Sequence, residues 1–100
     1  MKETLDLTGK TAVITGGGGV ICSVMAKSLA SQGAKTAIID LNQEASEKVA
    51  REIEEEFGIP SLGLSANVLD KSSLEESKRI INEKLGPIDI LINGAGGNSP

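Results

Sequence analysis

Four short β-rich segments alternate with three longer segments of helical periodicity between residues 11 and 93. Because the strands are almost continuously apolar, the sheet that they form needs cover on both faces, which is typical of parallel strands joined by helices. Right-handed crossovers leave few ways to connect such elements. The alternation therefore predicts an α/β fold, a doubly wound parallel sheet with four strands in the order 3-2-1-4 and helices on both faces.

The boundaries of these segments follow from apolar periodicity and from cap residues. The predicted strands are Thr11–Thr15, Lys35–Asp40, Pro60–Ala66 and Ile88–Asn93, and the predicted helices are Val20–Gln32, Gln43–Phe57 and Lys71–Leu85. Asn42 and Asp70 are expected to cap the second and third helices. We expect the first two helices on one face of the sheet and the third on the other. Ligands bind in such folds at the switch point, here between strands one and four.

Four consecutive glycines, Gly16–Gly19, separate the first strand from the first helix. Inside a strand or helix each glycine costs roughly 0.5–1 kcal/mol against alanine, but at a turn glycine permits positive φ and a close approach to a ligand. The helix that follows directs free N–H groups and its positive dipole end at the same place, which suits a phosphate. A flexible turn without a ligand is the alternative.

Asp40 ends the second strand, 24 residues after Gly16. An acid about 20 residues beyond a dinucleotide-binding glycine turn hydrogen-bonds a ribose 2′-hydroxyl. The same carboxylate would repel a 2′-phosphate, and no Arg or Lys stands at positions 17–19 or 41–42 to attract one. These features favour NAD over NADP. The alternative for Asp40 is a solvated acid at a strand end.

Two further segments follow predicted strands. Asn67 and Val68 come after the third strand, and Asn93–Gly96 ends and follows the fourth. The Asn67 amide could meet an adenine edge, or it could simply close a turn. The Asn93–Gly96 run carries little side chain and would leave room for a ribose and nicotinamide, although any glycine-rich turn would do the same.

The composition excludes several classes of function. The net charge is −4 and Phe57 is the single aromatic residue, whereas nucleic-acid binding needs a basic face and stacking rings. The single cysteine, Cys22, allows no internal disulfide and fits a reducing compartment. Residues 1–6 carry no signal pattern and no apolar run reaches membrane length, so we expect a cytoplasmic protein that binds neither nucleic acid nor membrane.

Taken in order, these segments resemble the N-terminal half of a short-chain dehydrogenase/reductase, a family with a Rossmann-like fold. The family opens with a segment similar to residues 7–16, has an acid where Asp40 stands, an acidic or amide residue before Val where Asn67-Val68 stand, and an Asn-x-Ala-Gly element matching Asn93–Gly96. The resemblance implies that residues 1–100 are the N-terminal part of a single NAD-binding domain, an incomplete fold without its catalytic C-terminal half.

The resemblance also implies a reaction, which is hydride transfer between a nicotinamide and a hydroxyl/ketone pair. Within the family, the tetraglycine segment and residues 92–100 resemble D-mannonate (fructuronate-reducing) oxidoreductases and related sugar-acid and polyol dehydrogenases. A sugar acid or polyol substrate and a homo-oligomeric parent protein are therefore expected, with no metal. The implied cofactor contacts are Gly16, Gly18, Gly19, Val20, Ile21, Asp40, Leu41, Asn67, Val68, Asn93, Gly94, Ala95 and Gly96.

Three positions depart from the family pattern. Glycines are expected at positions 20 and 22, where this chain has Val20 and Cys22, and Asn67 replaces the commoner Asp. The tetraglycine is expected to supply the close backbone approach slightly earlier, so that Val20 is tolerated. Cys22 adds volume where the helix meets the sheet, which predicts a small outward shift of the helix or weaker cofactor binding. A reactive thiol near a helix N-terminus is the alternative.

The family's catalytic Ser, Tyr, Lys and Asn lie beyond the matched segments, and the 100 residues contain neither tyrosine nor histidine. We expect the chain alone to be inactive, a truncated reading frame or a fragment of a longer enzyme, with an apolar fourth strand whose open edge promotes self-association. Two other functions stay open: a non-catalytic nucleotide-binding or interaction module, and an S-adenosylmethionine methyltransferase-like domain. The latter usually has an acid before its glycines, where this chain has Thr15.

Overall fold

The computed structural model describes residues 6–16 and 19–94. The elements are β1 Thr11–Thr15, α1 Val20–Ser31, β2 Lys35–Asp40, α2 Gln43–Phe57, β3 Ser61–Ser65, α3 Lys71–Lys84 and β4 Ile90–Asn93. All neighbouring strands are parallel and their order is β3-β2-β1-β4. The predicted α/β fold, a Rossmann-like doubly wound sheet in the order 3-2-1-4, is confirmed.

Two faces of the sheet carry separate apolar cores, because successive side chains of a strand point to opposite sides. The core on one face joins β1 and β2 to α1 and α2, and its fully buried members include Ala12, Ile14, Ala26, Ala30, Ile38 and Ile53. The core on the other face joins Val13, Ala37 and Ile39 to Ile81 and Leu85, at the C-terminal end of α3. The predicted division of the helices between the two faces is therefore confirmed.

Several element ends differ from the sequence prediction. β4 begins at Ile90 rather than Ile88 because Asp89 pairs with β1 differently: its amide donates to the Thr11 carbonyl at 2.9 Å, and its carboxylate accepts from the Thr11 amide at 3.0 Å. α3 ends at Lys84, with Leu85 as its C-cap. On α3 Leu74 is only half-buried, whereas Ser77 is buried.

The remaining corrections are small and have local causes. α1 ends at Ser31, because Gln32 leaves the helical region with φ −101° and ψ 9°. β3 is limited to Ser61–Ser65, since Pro60 has no amide to donate to a neighbouring strand. The predicted caps are confirmed: Asn42 accepts from the Ala45 amide and Asp70 accepts from the Ser72 amide, both at 3.1 Å.

One ion pair links the two helices that share a face. Lys27 of α1 lies 2.9 Å from Glu52 of α2. The hydrogen bond and the charge of Lys27 hold the pKa of the Glu52 carboxyl below its ordinary value. Both side chains are partly exposed to water, so the pair adds little stability. Burial of alanine and isoleucine between the helices and the sheet holds this layer together.

Gly63 is the point where β3 lies closest to α2. A Cβ at this position would be 2.7 Å from the carbonyl carbon and oxygen of Ser46, which are backbone atoms and cannot rotate away. We expect Gly63→Ala to lower the free energy of unfolding by about 1–3 kcal/mol, the usual cost of overpacking. The measurement is denaturant unfolding followed by circular dichroism. Gly19→Ala is the control, because among the described residues its Cβ would meet one atom, at an ordinary 3.5 Å, so that it should show only the smaller loss of a glycine N-cap. Equal losses in the two variants would contradict the prediction.

Among the described residues, β4 pairs with β1 alone, and its Leu91 side chain is 62% exposed. An apolar strand with one unpaired edge is a template for association. We therefore expect the 100-residue chain to sediment as a concentration-dependent oligomer, and Leu91→Lys to shift it toward monomer. Ser28→Lys, on the exposed side of α1, provides the same change in charge and should leave the association unchanged. A monomeric unaltered chain at all concentrations would contradict this expectation.

Candidate functional site

The carboxyl ends of the four parallel strands lie along one edge of the sheet, and most predicted site residues are there. Thr15 at the end of β1 is in register with Ile39 of β2 and with Asn93 of β4, and Asp40 is in register with Ser65 of β3. Sequence position alone does not bring these residues together. They are brought together because β1 lies in the sheet between β2 and β4.

A cavity of about 350 Å³ opens at this edge between the ends of β2 and β3. Five residues predicted as cofactor contacts line it: Gly16, Asp40, Leu41, Asn67 and Val68. Its other walls come from residues that the sequence did not single out, Ile39, Ala66 and Leu69. The cavity therefore combines a carboxylate, an amide and apolar side chains, a combination typical of small-molecule sites.

Asp40 is fixed by the loop that follows it. Its carboxylate accepts from the Asn42 amide at 3.0 Å, and its carbonyl accepts from the Ala66 amide at 3.2 Å. The Ser65 hydroxyl donates to the carbonyl of Leu41 at 3.1 Å, which ties the β2–α2 loop to the end of β3. Asp40 is half-buried, and both its role as a ribose contact and the alternative of a solvated strand-end acid stay predictions.

Asn67 closes a turn, as the alternative interpretation had it. Its side-chain oxygen accepts from the backbone amide of Leu69 at 3.0 Å, and its backbone amide donates to the Ser73 hydroxyl at 3.2 Å. The residue is nonetheless exposed and part of the cavity wall. Turn closure and a place at the cavity are thus compatible, because the turn is what holds Asn67 and Val68 at the rim.

The glycine turn begins in a conformation that favours glycine. Gly16 has φ 75°, and its amide donates to the Ile39 carbonyl at 2.7 Å, which anchors the turn to β2. Gly19 is the N-cap of α1 and provides no side chain, and the first turn of α1 contains no acidic residue. The positive end of this helix is therefore not neutralised by its own cap or first turn. Gly17 and the predicted contact Gly18 lie outside the described residues.

Val20 and Ile21 occupy the first turn of α1, directly beside the glycines. They are 81% and 75% exposed, which is unusual for large apolar side chains and means that nothing in the described chain covers them. Neither residue lines the 350 Å³ cavity. The two predicted contacts therefore stand at the site's margin, on the helix that faces the turn.

Asn93 and Thr15 form the other end of the site. The buried Thr15 hydroxyl donates to the Asn93 side-chain oxygen at 2.9 Å, and the Gly94 amide donates to the Thr15 carbonyl at 3.0 Å. Both side chains also line a second cavity of about 400 Å³ beside α3, which shares Ile39, Val68 and Leu69 with the first. The predicted contacts Ala95 and Gly96 lie outside the described residues.

Cys22 follows the packing interpretation. The side chain is half-buried and packs against the core between α1 and the sheet. Its Sγ also lies against Gly94, so closely that a Cβ at Gly94 would overlap it. Whether the thiol shifts the helix outward or weakens cofactor binding stays a prediction.

The sequence missed Leu69 and Thr15 as site residues. Leu69 is 89% exposed at the rim of both cavities, and the available signal was a large apolar residue directly before the helix cap Asp70. Thr15 was treated as part of a strand, although a hydroxyl at a strand end next to a glycine turn can reach the neighbouring strand. Both residues can be assigned to the site only when the positions of the neighbouring loops are known.

Residues 6–16 and 19–94 contain no group of three or more His, Cys, Asp or Glu side chains that could hold a metal ion. None of the described helices is long and apolar enough to cross a membrane.

The short chain dehydrogenase family matches residues 10–100. The chain belongs to this family. The uncharacterized oxidoreductase UxuB of Bacillus subtilis is 50% identical over 95 residues, which make up 95% of this chain and 34% of that protein. The 2,3-dihydro-2,3-dihydroxybenzoate dehydrogenase of the same organism is 41% identical over 90 residues, 90% of this chain and 34% of that protein. The chain thus spans about a third of the length of these curated relatives.

Solved structures agree with this assignment. A crystal structure named "putative D-Mannonate oxidoreductase" from Haemophilus influenza, with bound NAD, has a TM-score of 0.88 at 46% identity over 96% of this chain and 34% of that chain. The L-sorbose reductase of Gluconobacter frateurii, complexed with NADPH and L-sorbose, has a TM-score of 0.85 at 28% identity over 91% of this chain and 35% of that chain. The family's structures thus include both nicotinamide cofactors.

The bond between Thr15 and Asn93 can be tested directly. Thr15→Val removes the hydroxyl at nearly constant volume and leaves the Asn93 oxygen without its donor, so we expect a loss of about 1 kcal/mol in the free energy of unfolding. The side-chain amide resonance of Asn93 should also move. Thr15→Ser keeps the donor and should leave that resonance nearly unchanged. An unmoved Asn93 resonance in Thr15→Val would show that the bond does not hold this side chain.

Proposed function

We propose that this chain is the NAD-binding, N-terminal part of a short-chain dehydrogenase that transfers a hydride between a nicotinamide and a hydroxyl or ketone. The observation that supports this most directly is the 350 Å³ cavity where Gly16, Asp40 and Asn67 meet at the carboxyl edge of the sheet. In doubly wound sheets this edge is where dinucleotides bind. The chain's membership of an oxidoreductase family supplies the reaction class.

The residues present fit a dinucleotide along the edge. Asp40 would accept from a ribose hydroxyl, and Leu41 and Val68 would lie against the adenine in the 350 Å³ cavity. The pyrophosphate would lie at the Gly16–Gly19 turn, against the N-terminus of α1 with its exposed Val20 and Ile21. NAD supplies the hydride acceptor. The chain's own residues would bind and orient the cofactor.

Asn93 and the glycine-rich loop after β4 would hold the nicotinamide end. The hydrogen bond from the Thr15 hydroxyl fixes the Asn93 oxygen, so its amide nitrogen is directed away from β1. Gly94, Ala95 and Gly96 carry little side chain beyond the strand end. Small residues at these positions would leave room for a flat ring.

Asp40 carries the preference for NAD over NADP. A carboxylate and a 2′-phosphate at hydrogen-bonding distance repel each other strongly, and no Arg or Lys lines the 350 Å³ cavity to offset this. The Asn42 amide and the Ser65 bond hold the loop that carries Asp40, so the carboxylate is poorly placed to turn away. The family as a whole does not decide the cofactor, because the L-sorbose reductase structure contains NADPH.

The substrate of the whole protein is proposed to be a sugar acid such as D-mannonate or fructuronate, or a related polyol. The support is likeness: the 46% identical Haemophilus structure bears a D-mannonate oxidoreductase name. The Ser, Tyr and Lys that the family uses for proton transfer are proposed to lie outside these residues, which contain no tyrosine, and the chain alone is proposed to bind without turning over. The parent protein is proposed to be a cytoplasmic homo-oligomer.

Calorimetric titration of the 100-residue chain with NAD, NADP and S-adenosylmethionine tests the cofactor. We expect NAD to bind and the other two to bind at least about tenfold more weakly, because NADP carries a 2′-phosphate that Asp40 would repel and S-adenosylmethionine has no pyrophosphate for the glycine turn. Absence of binding by all three ligands to folded protein would favour a non-catalytic interaction module. Tighter binding of S-adenosylmethionine would favour a methyltransferase-like role.

Asp40→Asn separates the charge from the shape of the site. The amide oxygen can still accept from the Asn42 amide, but the repulsion of a 2′-phosphate is gone, so the preference for NAD over NADP should fall by about tenfold or more. Both dissociation constants are measured by calorimetry. Glu55→Gln makes the same charge change on the exposed side of α2 and should leave the preference unchanged. An unaltered preference in Asp40→Asn would contradict the role of Asp40.

A further inference from the structure

The first turn of α1 and the residue after β4 touch through Cys22 and Gly94. A Cβ on Gly94 would overlap the Sγ of Cys22 and would also lie 2.9 Å from the carbonyl oxygen of Thr15. Real side chains do not approach other atoms so closely. The thiol therefore occupies the space that any side chain at position 94 would need.

Gly94 is held from two directions. Its amide donates to the Thr15 carbonyl at 3.0 Å, which fixes it to β1, and the Cys22 thiol contacts it from α1. Cys22 is itself supported, because its side chain packs against the core between α1 and the sheet. Both residues of this contact are therefore held in place by other parts of the chain, and the contact fixes the distance between α1 and the end of β4.

The two residues belong to opposite halves of the candidate site. Cys22 lies three positions after Gly19, the N-cap of α1, where the pyrophosphate would bind, and Gly94 directly follows Asn93 at the nicotinamide end. The family pattern places a glycine at position 22, on the helix side of this contact. In this chain the helix carries the thiol and the strand side carries the glycine.

We propose that Cys22 is a positioning residue whose thiol, lying against Gly94, sets the spacing between the N-terminus of α1 and the loop after β4. That spacing determines where the nicotinamide half of NAD is held relative to its pyrophosphate. The inference rests on the proposed function. It requires that a change in bulk at this contact acts on the nicotinamide half and spares the adenosine half, which binds on the far side of β1 between β2 and β3.

The test compares NAD with ADP-ribose, which has the same adenosine and pyrophosphate but no nicotinamide. Cys22→Val adds bulk and should raise the dissociation constant for NAD by about tenfold while changing that for ADP-ribose by less than about twofold. Cys22→Ser nearly keeps the volume and should change both by less than about twofold. Equal weakening of both ligands by Cys22→Val, or no weakening of either, would overturn the inference.

The same contact can be altered from the strand side. Gly94→Ala should weaken NAD selectively as well, and adding Cys22→Gly should recover part of the affinity because the thiol is gone, while the close contact with the Thr15 carbonyl persists. Additive losses in the double variant would show that positions 22 and 94 do not act through each other and would overturn the inference.

A ligand-free readout separates this inference from the proposed function. Hydrogen exchange of the Gly94 amide reports on its bond to Thr15, and Cys22→Val should speed that exchange relative to Cys22→Ser. Failure of the unaltered chain to bind NAD would overturn the proposed function and this inference with it. NAD binding combined with unchanged Gly94 exchange would overturn the inference alone.

Discussion

β1 pairs with β2 on one side and with β4 on the other, and the geometry of the site depends on this double pairing. Parallel register brings the carboxyl ends of neighbouring strands to one edge, so that Thr15, Ile39 and Asn93 lie side by side. The turn after β1 is tied to β2 by the Gly16 amide, and the loop after β4 is tied to β1 by the Gly94 amide. A shift of β1 by one residue would turn its core side chains to the wrong faces and displace both loops at once.

Close approach between layers is the second condition, and small residues provide it. α1 buries Ala26 and Ala30 against the sheet, and Gly63 lets β3 pass beside the backbone of α2. The position of the β2–α2 loop depends on these contacts, because Gly63 lies two residues before Ser65, whose hydroxyl donates to the carbonyl of Leu41 in that loop. A layer spacing set by larger side chains would move the β2–α2 loop, and Asp40 with it, away from the end of β3. Packing and the position of Asp40 are therefore linked through the same strands.

Local sequence signals were sufficient for the elements and much of the site's outline. The caps Asn42 and Asp70 and the strand-end position of Asp40 each depend on a few neighbouring residues, and the structure has them as predicted. The start of β4 was wrong because Asp89 bonds the amide of Thr11 with its side chain, a choice that only the distant strand reveals. The sequence marks Cys22 as a bulkier residue where the helix meets the sheet, but nothing in it identifies Gly94, 72 residues later, as the residue that the thiol contacts.

The two ends of the site differ in what supports them. The 350 Å³ cavity is lined by Gly16 after β1, by the end of β2 and by the segments that follow β2 and β3, and β2 has paired neighbours on both sides. The end that carries Asn93 depends on β4, whose only strand partner among the described residues is β1, across a separation of 78 residues between Thr15 and Asn93. Long-range pairing of a single strand is the weaker arrangement, because loop closure must be compensated by few contacts. Two side-chain contacts supplement the backbone hydrogen bonds of the sheet at this end. The Thr15 hydroxyl bonds Asn93 and the Cys22 thiol contacts Gly94, and together they keep these two residues beside the glycine turn.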